Sequence, residues 1–226
     1  MMSINNQQID RKVIVLFFCI STFIFGLLIS SITASKLTQI TIFGFPIAIP
    51  VGTSLFAVTF LSTDVMSEVF GKKYASLLVL YGFLMRLLSL TFIFYAVNIP
   101  GADEIWDQQE AYSSILLGSN RILLAGILTY PISQFTDIFV FHKLKEMQKG
   151  RNLLWLRNTS STLISQTVDS TFFIFFAFVS ILPLSVMINM ILGQVIIKWI
   201  ISISDTPFVY LVRNYAENRK IFDIRG

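Results

Sequence analysis

Long apolar stretches separated by short polar punctuation run along the whole chain. A transmembrane helix needs roughly 20 mostly apolar residues. Six stretches meet that length, over about 13–33, 47–69, 74–97, 121–141, 159–182 and 184–210. The first, Val13 to Thr33, carries no charge. Pro46 and Pro50 flank the start of the second, where they either bend the entry or mark a broken helix lining a cavity. The short link Leu182-Pro183-Leu184-Ser185 predicts an antiparallel hairpin of the last two helices. Arg11-Lys12 before the first stretch would also suit a signal peptide. That stretch is longer than a signal's apolar region, however, and no Ala-x-Ala site follows it. The expected fold class is all-α: a polytopic membrane protein, one bundle of six transmembrane helices forming a single domain over residues 1–226.

Composition agrees. Hydrophobic residues make up 54% of the chain and charged residues 13%, against about 25% charged in soluble domains. A soluble fold with 22 phenylalanines could not keep so much apolar surface from water. The single cysteine, Cys19, excludes a disulfide framework and a Cys-rich metal site. The single histidine, His142, removes most histidine-based metal or triad chemistry, so neither cofactor nor metal is expected.

The basic residues set the orientation. With both termini in the cytoplasm, the inner segments hold Arg11, Lys12, Lys72, Lys73, Lys143, Lys145, Lys149, Arg151, Arg157, Arg213, Arg219, Lys220 and Arg225. The outer segments hold only Lys36 and Arg121, while the loop between the third and fourth helices carries Asp103, Glu104, Asp107 and Glu110. Trp106, Trp155 and Tyr210 fall near interfaces and fit belt anchors. The basic loop from Lys143 to Arg157 is a topology signal, and no nucleic-acid partner is expected. The partner is the lipid bilayer, and any function lies in the membrane or its short loops.

The charges kept inside the spans carry the chemistry. Each Asp, Lys or Arg at a helix centre costs about 2.5–3.5 kcal/mol on insertion scales. Asp64, Glu68, Arg86, Asp137, Asp169, Lys198 and Asp205 all lie in or near spans, a summed cost of order 10 kcal/mol. Asp64 and Glu68 share one helix face at a four-residue step. Gln134 with Asp137, and Gln166 with Asp169, follow three-residue steps in two segments of pattern I-S-Q-x-x-D. Gln194, Lys198 and Asp205 form one stripe. Polar side chains also hold helices together, each contributing about 0.6–2 kcal/mol. Arg86 paired with Asp169 would be one such contact. That role accounts for any one of these residues but not for the whole set. Five acids against two bases suit a ligand rich in donors or positively charged, or carboxylates that protonate during a cycle. One or two of the phenylalanines could stack on a flat ligand.

Ser62-Thr63-Asp64-Val65-Met66-Ser67-Glu68-Val69-Phe70-Gly71-Lys72-Lys73 resembles the T-D-x-x-x-E-x-[YF]-G-[KR] signature of the bacterial queuosine-precursor transporter family, also called the vitamin uptake transporter family. Ile132 to Lys145 is similar to its second motif. Trp155-Leu156-Arg157-Asn158, followed by Ser161 to Asp169, is similar to its third. The resemblance implies a multi-pass protein of the bacterial inner membrane. It also implies import of a 7-deazaguanine (the 7-cyano or aminomethyl precursor of queuosine, or queuine) for transfer RNA modification. A carboxylate can accept the adjacent ring N–H and exocyclic amine of such a base, and a glutamine amide can both donate and accept. Gln134, Asp137, Gln166 and Asp169 are therefore the expected core of the substrate site. Asp64, Glu68 and Asn158 are expected to line its cytoplasmic side, with Arg86, Lys198 and Asp205 balancing charge or coupling. A carrier of another small heterocycle or vitamin would look alike. An intramembrane enzyme is disfavoured, because no nucleophile–base set or metal-ligand cluster is present. There is no P-loop. Proton coupling, facilitated diffusion with downstream trapping, an energising partner and the oligomeric state all stay open.

Overall fold

The computed structural model describes residues 10–34, 36–42, 44–102, 105–117, 120–148 and 153–218. Asp103, Glu104, Lys149, Arg151, Arg219, Lys220 and Arg225 lie outside them. The elements in chain order are helix α1 (Arg11–Thr33), strands β1 (Leu37–Ile42) and β2 (Phe45–Pro50), and helices α2 (Gly52–Val69), α3 (Lys72–Asn98), α4 (Gln109–Leu117), α5 (Asn120–Met147), α6 (Leu154–Phe178) and α7 (Leu184–Ala216). Among the described residues, four helical stretches are long and apolar enough to cross a membrane: Arg11–Thr33, Lys72–Asn98, Gln109–Met147 and Leu184–Ala216. Helices α2 and α6 fall outside that set because they carry polar residues, and they turn those residues inward.

The bundle is built inside out relative to a soluble protein. Among the described buried residues, polar and charged side chains are as numerous as apolar ones. Phe17, Leu88, Phe92, Phe94 and Leu184 are all well over half exposed, the surface that lipid requires. An apolar core joins Phe23 and Leu27 of α1, Val65 and Met66 of α2, Leu78 and Val79 of α3, and Tyr130 and Phe141 of α5. The polar seam lies on the other side of α2, where α5, α6 and α7 meet.

Two elements depart from the sequence expectation. The helix expected from about residue 47 begins at Gly52, and β1 and β2 form an antiparallel ribbon before it. The ribbon pairs Ile42 with Phe45 across a two-residue loop, and Thr41 with Pro46. Thr38, Ile40, Thr41, Ile42, Ile47 and Ile49 are β-branched and favour the extended chain. A two-residue loop closes on a hydrogen-bonded pair, so bonded and unbonded pairs then alternate. Pro46 and Pro50 consequently fall on unbonded pairs, where a missing N–H removes no ladder bond. They are ribbon residues and bend no helix entry. The second departure is α4, inside the expected outer loop. Gln109 at its start donates to the Val97 carbonyl at 2.7 Å, and the Trp106 indole donates to the Gln109 side chain at 3.3 Å.

Two glycines set the packing around α2. Gly71, at φ 87° and ψ 175°, makes the reversal between α2 and α3 in a region that L side chains rarely adopt. Gly52 brings the start of α2 against the Ser30 carbonyl of α1, where a Cβ would collide with the backbone oxygen. Replacing Gly52 by Ala is expected to cost about 1–3 kcal/mol through forced backbone movement. It should lower the thermal midpoint of detergent-purified protein. Gly101→Ala, whose added Cβ would meet only the Trp106 side chain, should leave the midpoint near wild type.

Candidate functional site

The polar face of α6 organises the interior. Arg157, Asn158, Ser161, Thr162, Ser165, Gln166, Asp169 and Ser170 recur at helical spacing and are all buried. Lipid cannot satisfy them, so each of the neighbouring helices α2, α5 and α7 supplies partners, in three tiers along the bundle.

The first tier is an ion cluster at the end of α2. Glu68 Oε1 accepts from Arg157 Nη2 at 2.6 Å, and Glu68 Oε2 accepts from Lys145 Nζ at 3.0 Å. Arg157 also donates to Gln148 Oε1 at 3.0 Å and lies 5.6 Å from the Phe141 ring centroid. Its side chain is 1% exposed, against 40% for Lys145. The Glu68–Arg157 pair is therefore the interior contact, and Lys145 caps it from outside.

The second tier joins α2, α5 and α6. Thr162 donates to Asp64 Oδ2 at 3.1 Å, and Ser165 donates to Asp137 Oδ1 at 3.0 Å. Gln134 faces α2. Its Nε2 donates to the Thr59 hydroxyl at 3.0 Å, and its Oε1 accepts from Thr63 at 3.4 Å. Asn158 turns toward α7 and donates to the Thr206 hydroxyl at 3.3 Å.

The third tier borders open space. Lys198 Nζ donates to Asp169 Oδ2 at 2.5 Å. Together with Arg86, Gly126, Gln194 and the rings of Phe56 and Phe173, this pair lines a cavity of about 540 Å³ of empty space including its mouth. Arg86 is buried and lies 5.9 Å from the Tyr130 ring centroid, and its Nε has no hydrogen-bond partner. Gly126 leaves room for the Arg86 guanidinium, since a Cβ there would come within 2.6 Å of Nη2. Among the described residues no carboxylate reaches Arg86 at ion-pair distance. Gln166, Ser202 and Asp205 line a smaller cavity of about 240 Å³, which shares Thr53, Phe56 and Lys198 with the larger one.

The residues singled out in the sequence thus separate. Asp169, Arg86, Lys198, Gln166 and Asp205 border the two cavities. Asp64, Glu68, Gln134, Asp137 and Asn158 are held in the protein network and border neither. The two I-S-Q-x-x-D segments lie on packed helices, but Gln134 is directed to α2 and Asp169 to α7. The sequence marks Arg157 as a topology signal and as part of the third motif, and the structure adds its partnership with Glu68. Its place beside Asn158 at the start of a polar helix face was the available clue. Buried Arg213, which lies against the Tyr210 ring and donates to Asn214, was likewise read only as a tail charge.

A multi-pass helical bundle with a cavity lined by charges at its centre and lipid-facing residues all round has the construction of a small-solute carrier. A family model described as "Putative vitamin uptake transporter" matches residues 50–212. The chain is 30% identical over 176 residues to the "Probable queuosine precursor transporter" of Bacillus subtilis (strain 168), covering 77% of this chain and 76% of that one. It is 27% identical over 127 residues to the "Queuosine precursor transporter" of Escherichia coli (strain K12), covering 56% and 54%. It is 25% identical over 126 residues to a protein of Haemophilus influenzae with the same name as the Bacillus one, covering 56% and 49%. No solved structure matches. The chain belongs to the vitamin uptake transporter family and is a multi-pass membrane transporter, not an enzyme.

Breaking the ion cluster has unequal consequences. Glu68→Gln leaves Arg157 buried without its carboxylate and is expected to cost about 3–5 kcal/mol. Lys145→Met removes an exposed partner and is expected to cost no more than about 1 kcal/mol. Thermal midpoints of the two purified variants check the ranking.

Proposed function

We propose that this transporter imports a queuosine precursor (7-cyano-7-deazaguanine, its aminomethyl form, or queuine) across the bacterial inner membrane, and that the cavity at Arg86, Asp169 and Lys198 receives it. The observation that carries the reading is the chemistry of that cavity. Arg86 offers donors to an oxo group, much as Arg meets the O6 of guanine in nucleic acids. Asp169 offers acceptors to the ring N–H and exocyclic amine, and Lys198 holds its carboxylate in place. Gln194 and Gln166 can each donate and accept. Phe56 and Phe173 provide faces for a planar bicycle. The names borne by the Bacillus and Escherichia relatives support the same substrate class.

The reading includes one transporter domain with six membrane spans, namely α1, α2, α3, α5, α6 and α7, and with both termini in the cytoplasm. Its support is that basic residues of different helices meet at one end of the bundle. Arg11 of α1 stacks on Tyr215 of α7, Lys72 of α3 on Phe139 of α5, and Lys145 of α5 meets Glu68 of α2 and Arg157 of α6. Within this scheme Asp64, Glu68, Gln134, Asp137 and Asn158 belong to the packed barrier between the cavity and the cytoplasm, through which the substrate leaves when α2 and α6 part.

The test is rescue of queuosine-modified transfer RNA in a bacterium that cannot make the precursors and lacks its own importer. The chain is expected to restore modification when a deazaguanine is supplied. Asp169→Asn, inserted at wild-type level, is expected to lower initial import at least tenfold, the scale of one lost charge-assisted contact of about 1.5–3 kcal/mol. Rescue by none of the three precursors would transfer the reading to a different flat heterocycle.

A further inference from the structure

Asp64 and Asp137 border neither cavity, yet they make an unusual contact. They are 2% and 1% exposed, and their carboxyl groups lie within hydrogen-bond reach of each other. Thr162 and Ser165 each supply a donor to one oxygen of the pair. Among the described residues, the remaining oxygens, Asp64 Oδ1 and Asp137 Oδ2, are buried without a hydrogen-bond partner, and the Ser161 hydroxyl also lies beside Asp137. The Thr162 hydroxyl also lies 3.0 Å from the Asn158 carbonyl, and that of Ser165 lies 3.1 Å from the Thr162 carbonyl, while each hydroxyl carries one hydrogen.

The nearby cations are engaged elsewhere. Besides the pair, α2 carries Glu68, α5 carries Arg121, Lys143, Lys145 and Glu146, α6 carries Arg157 and Asp169, and α7 carries Lys198, Asp205 and Arg213. Glu68 is bound to Arg157 and Lys145, and Asp169 to Lys198. Arg213 lies against the Tyr210 ring and Lys143 against the Phe139 ring, while Asp205, another acid, lines the smaller cavity and its charge acts on Asp64. Among the described residues, no cation reaches either carboxyl at ion-pair distance, and the donors beside the pair are the neutral hydroxyls of Ser161, Thr162 and Ser165. A hydrogen bond between two carboxyl groups requires one proton, shared by the pair.

We propose that Asp64 and Asp137 hold one transported proton between them and couple its entry to entry of the substrate, with Asp205 passing the proton from the smaller cavity. The coupling step rests on the importer reading above. The proton comes from outer water, occupies the pair while α2, α5 and α6 are closed, and leaves to cytoplasmic water as they open. One proton moves per substrate and no bond of the substrate changes. Loss of the proton leaves two negative charges facing each other in a buried place, which favours separation of α2 and α5 from one another. Both helices are tied through this tier to α6, which also carries Asp169, so the proton and the substrate act on the same helix.

Infrared spectroscopy of the purified full-length chain at neutral pH tests the pair without any substrate. A protonated-carboxyl band is expected in wild type and absent from both Asp64→Asn and Asp137→Asn. In vesicles with the membrane potential held at zero, labelled 7-cyano-7-deazaguanine is expected to accumulate roughly tenfold per unit of inward pH gradient. Either variant should lose that accumulation while still exchanging labelled for unlabelled precursor without a gradient. Absence of the band from wild type, accumulation indifferent to the pH gradient, or accumulation driven by sodium instead would overturn the proposal. The band without exchange of any precursor would retire the substrate reading and keep the proton pair.

Discussion

The polar face of α6 has to be satisfied from within the protein, because the hydrocarbon around the bundle offers neither donors nor acceptors. From that constraint the rest of the arrangement follows. α2 and α5 bring Asp64 and Asp137 to the hydroxyls of Thr162 and Ser165, and α7 brings Lys198 to Asp169. Helices α1 and α3 bring mostly apolar surface and face outward to lipid. The division of labour between lining helices and shielding helices is thus a consequence of where side chains can find partners. It also explains why α2 and α6 are less apolar than the four stretches that would qualify as spans on composition.

Satisfaction is uneven along the seam, and the unevenness gives the tiers their different characters. At the end of α2, Glu68 has two cations, and the buried pair with Arg157 acts as a lock. In the middle, the buried carboxyl groups of Asp64 and Asp137 have no cation at ion-pair distance among the described residues. At the cavity, Arg86 has no acid at ion-pair distance among the described residues, while Asp169 and Lys198 bind each other. A lock, a carboxyl pair and an open charged cavity in sequence along one helix form a physical order suited to a carrier: what enters the cavity is separated from the cytoplasm by contacts that each require a specific event to part.

Much of this was legible in the sequence, for identifiable reasons. The apolar runs located α1, α3, α5 and α7 because lipid-facing helices must be apolar on most of their circumference. The buried charges stood out because a bilayer makes each one costly. The β-ribbon was missed because its isoleucines and prolines, next to a real helix, extend the apolar run. The signal was there in β-branched residues on either side of Gly44, a hairpin pattern. The choice of partner was not legible. Spacing puts Gln134 and Asp137 on one face of α5, but whether that face meets α2 or α6 depends on helix rotation, and the structure sends Gln134 to Thr59 and Asp137 to Ser165. Arg157 sits in a loop by charge count and in the interior by packing.

The central claim is that the cavity beside Asp169 and Lys198 is where substrate sits on its way through the membrane. Cys19 is the chain's single cysteine and is buried, so Cys19→Ser gives a thiol-free background. Thr53, which borders both cavities, can carry a reporter as Thr53→Cys. The most direct measurement is the rate at which a membrane-impermeant maleimide labels that thiol, with and without a saturating deazaguanine. The account predicts labelling that the precursor slows several-fold and that an unrelated pyrimidine leaves unchanged. Labelling at the same rate with and without every precursor, in protein that still imports one of them, would contradict it.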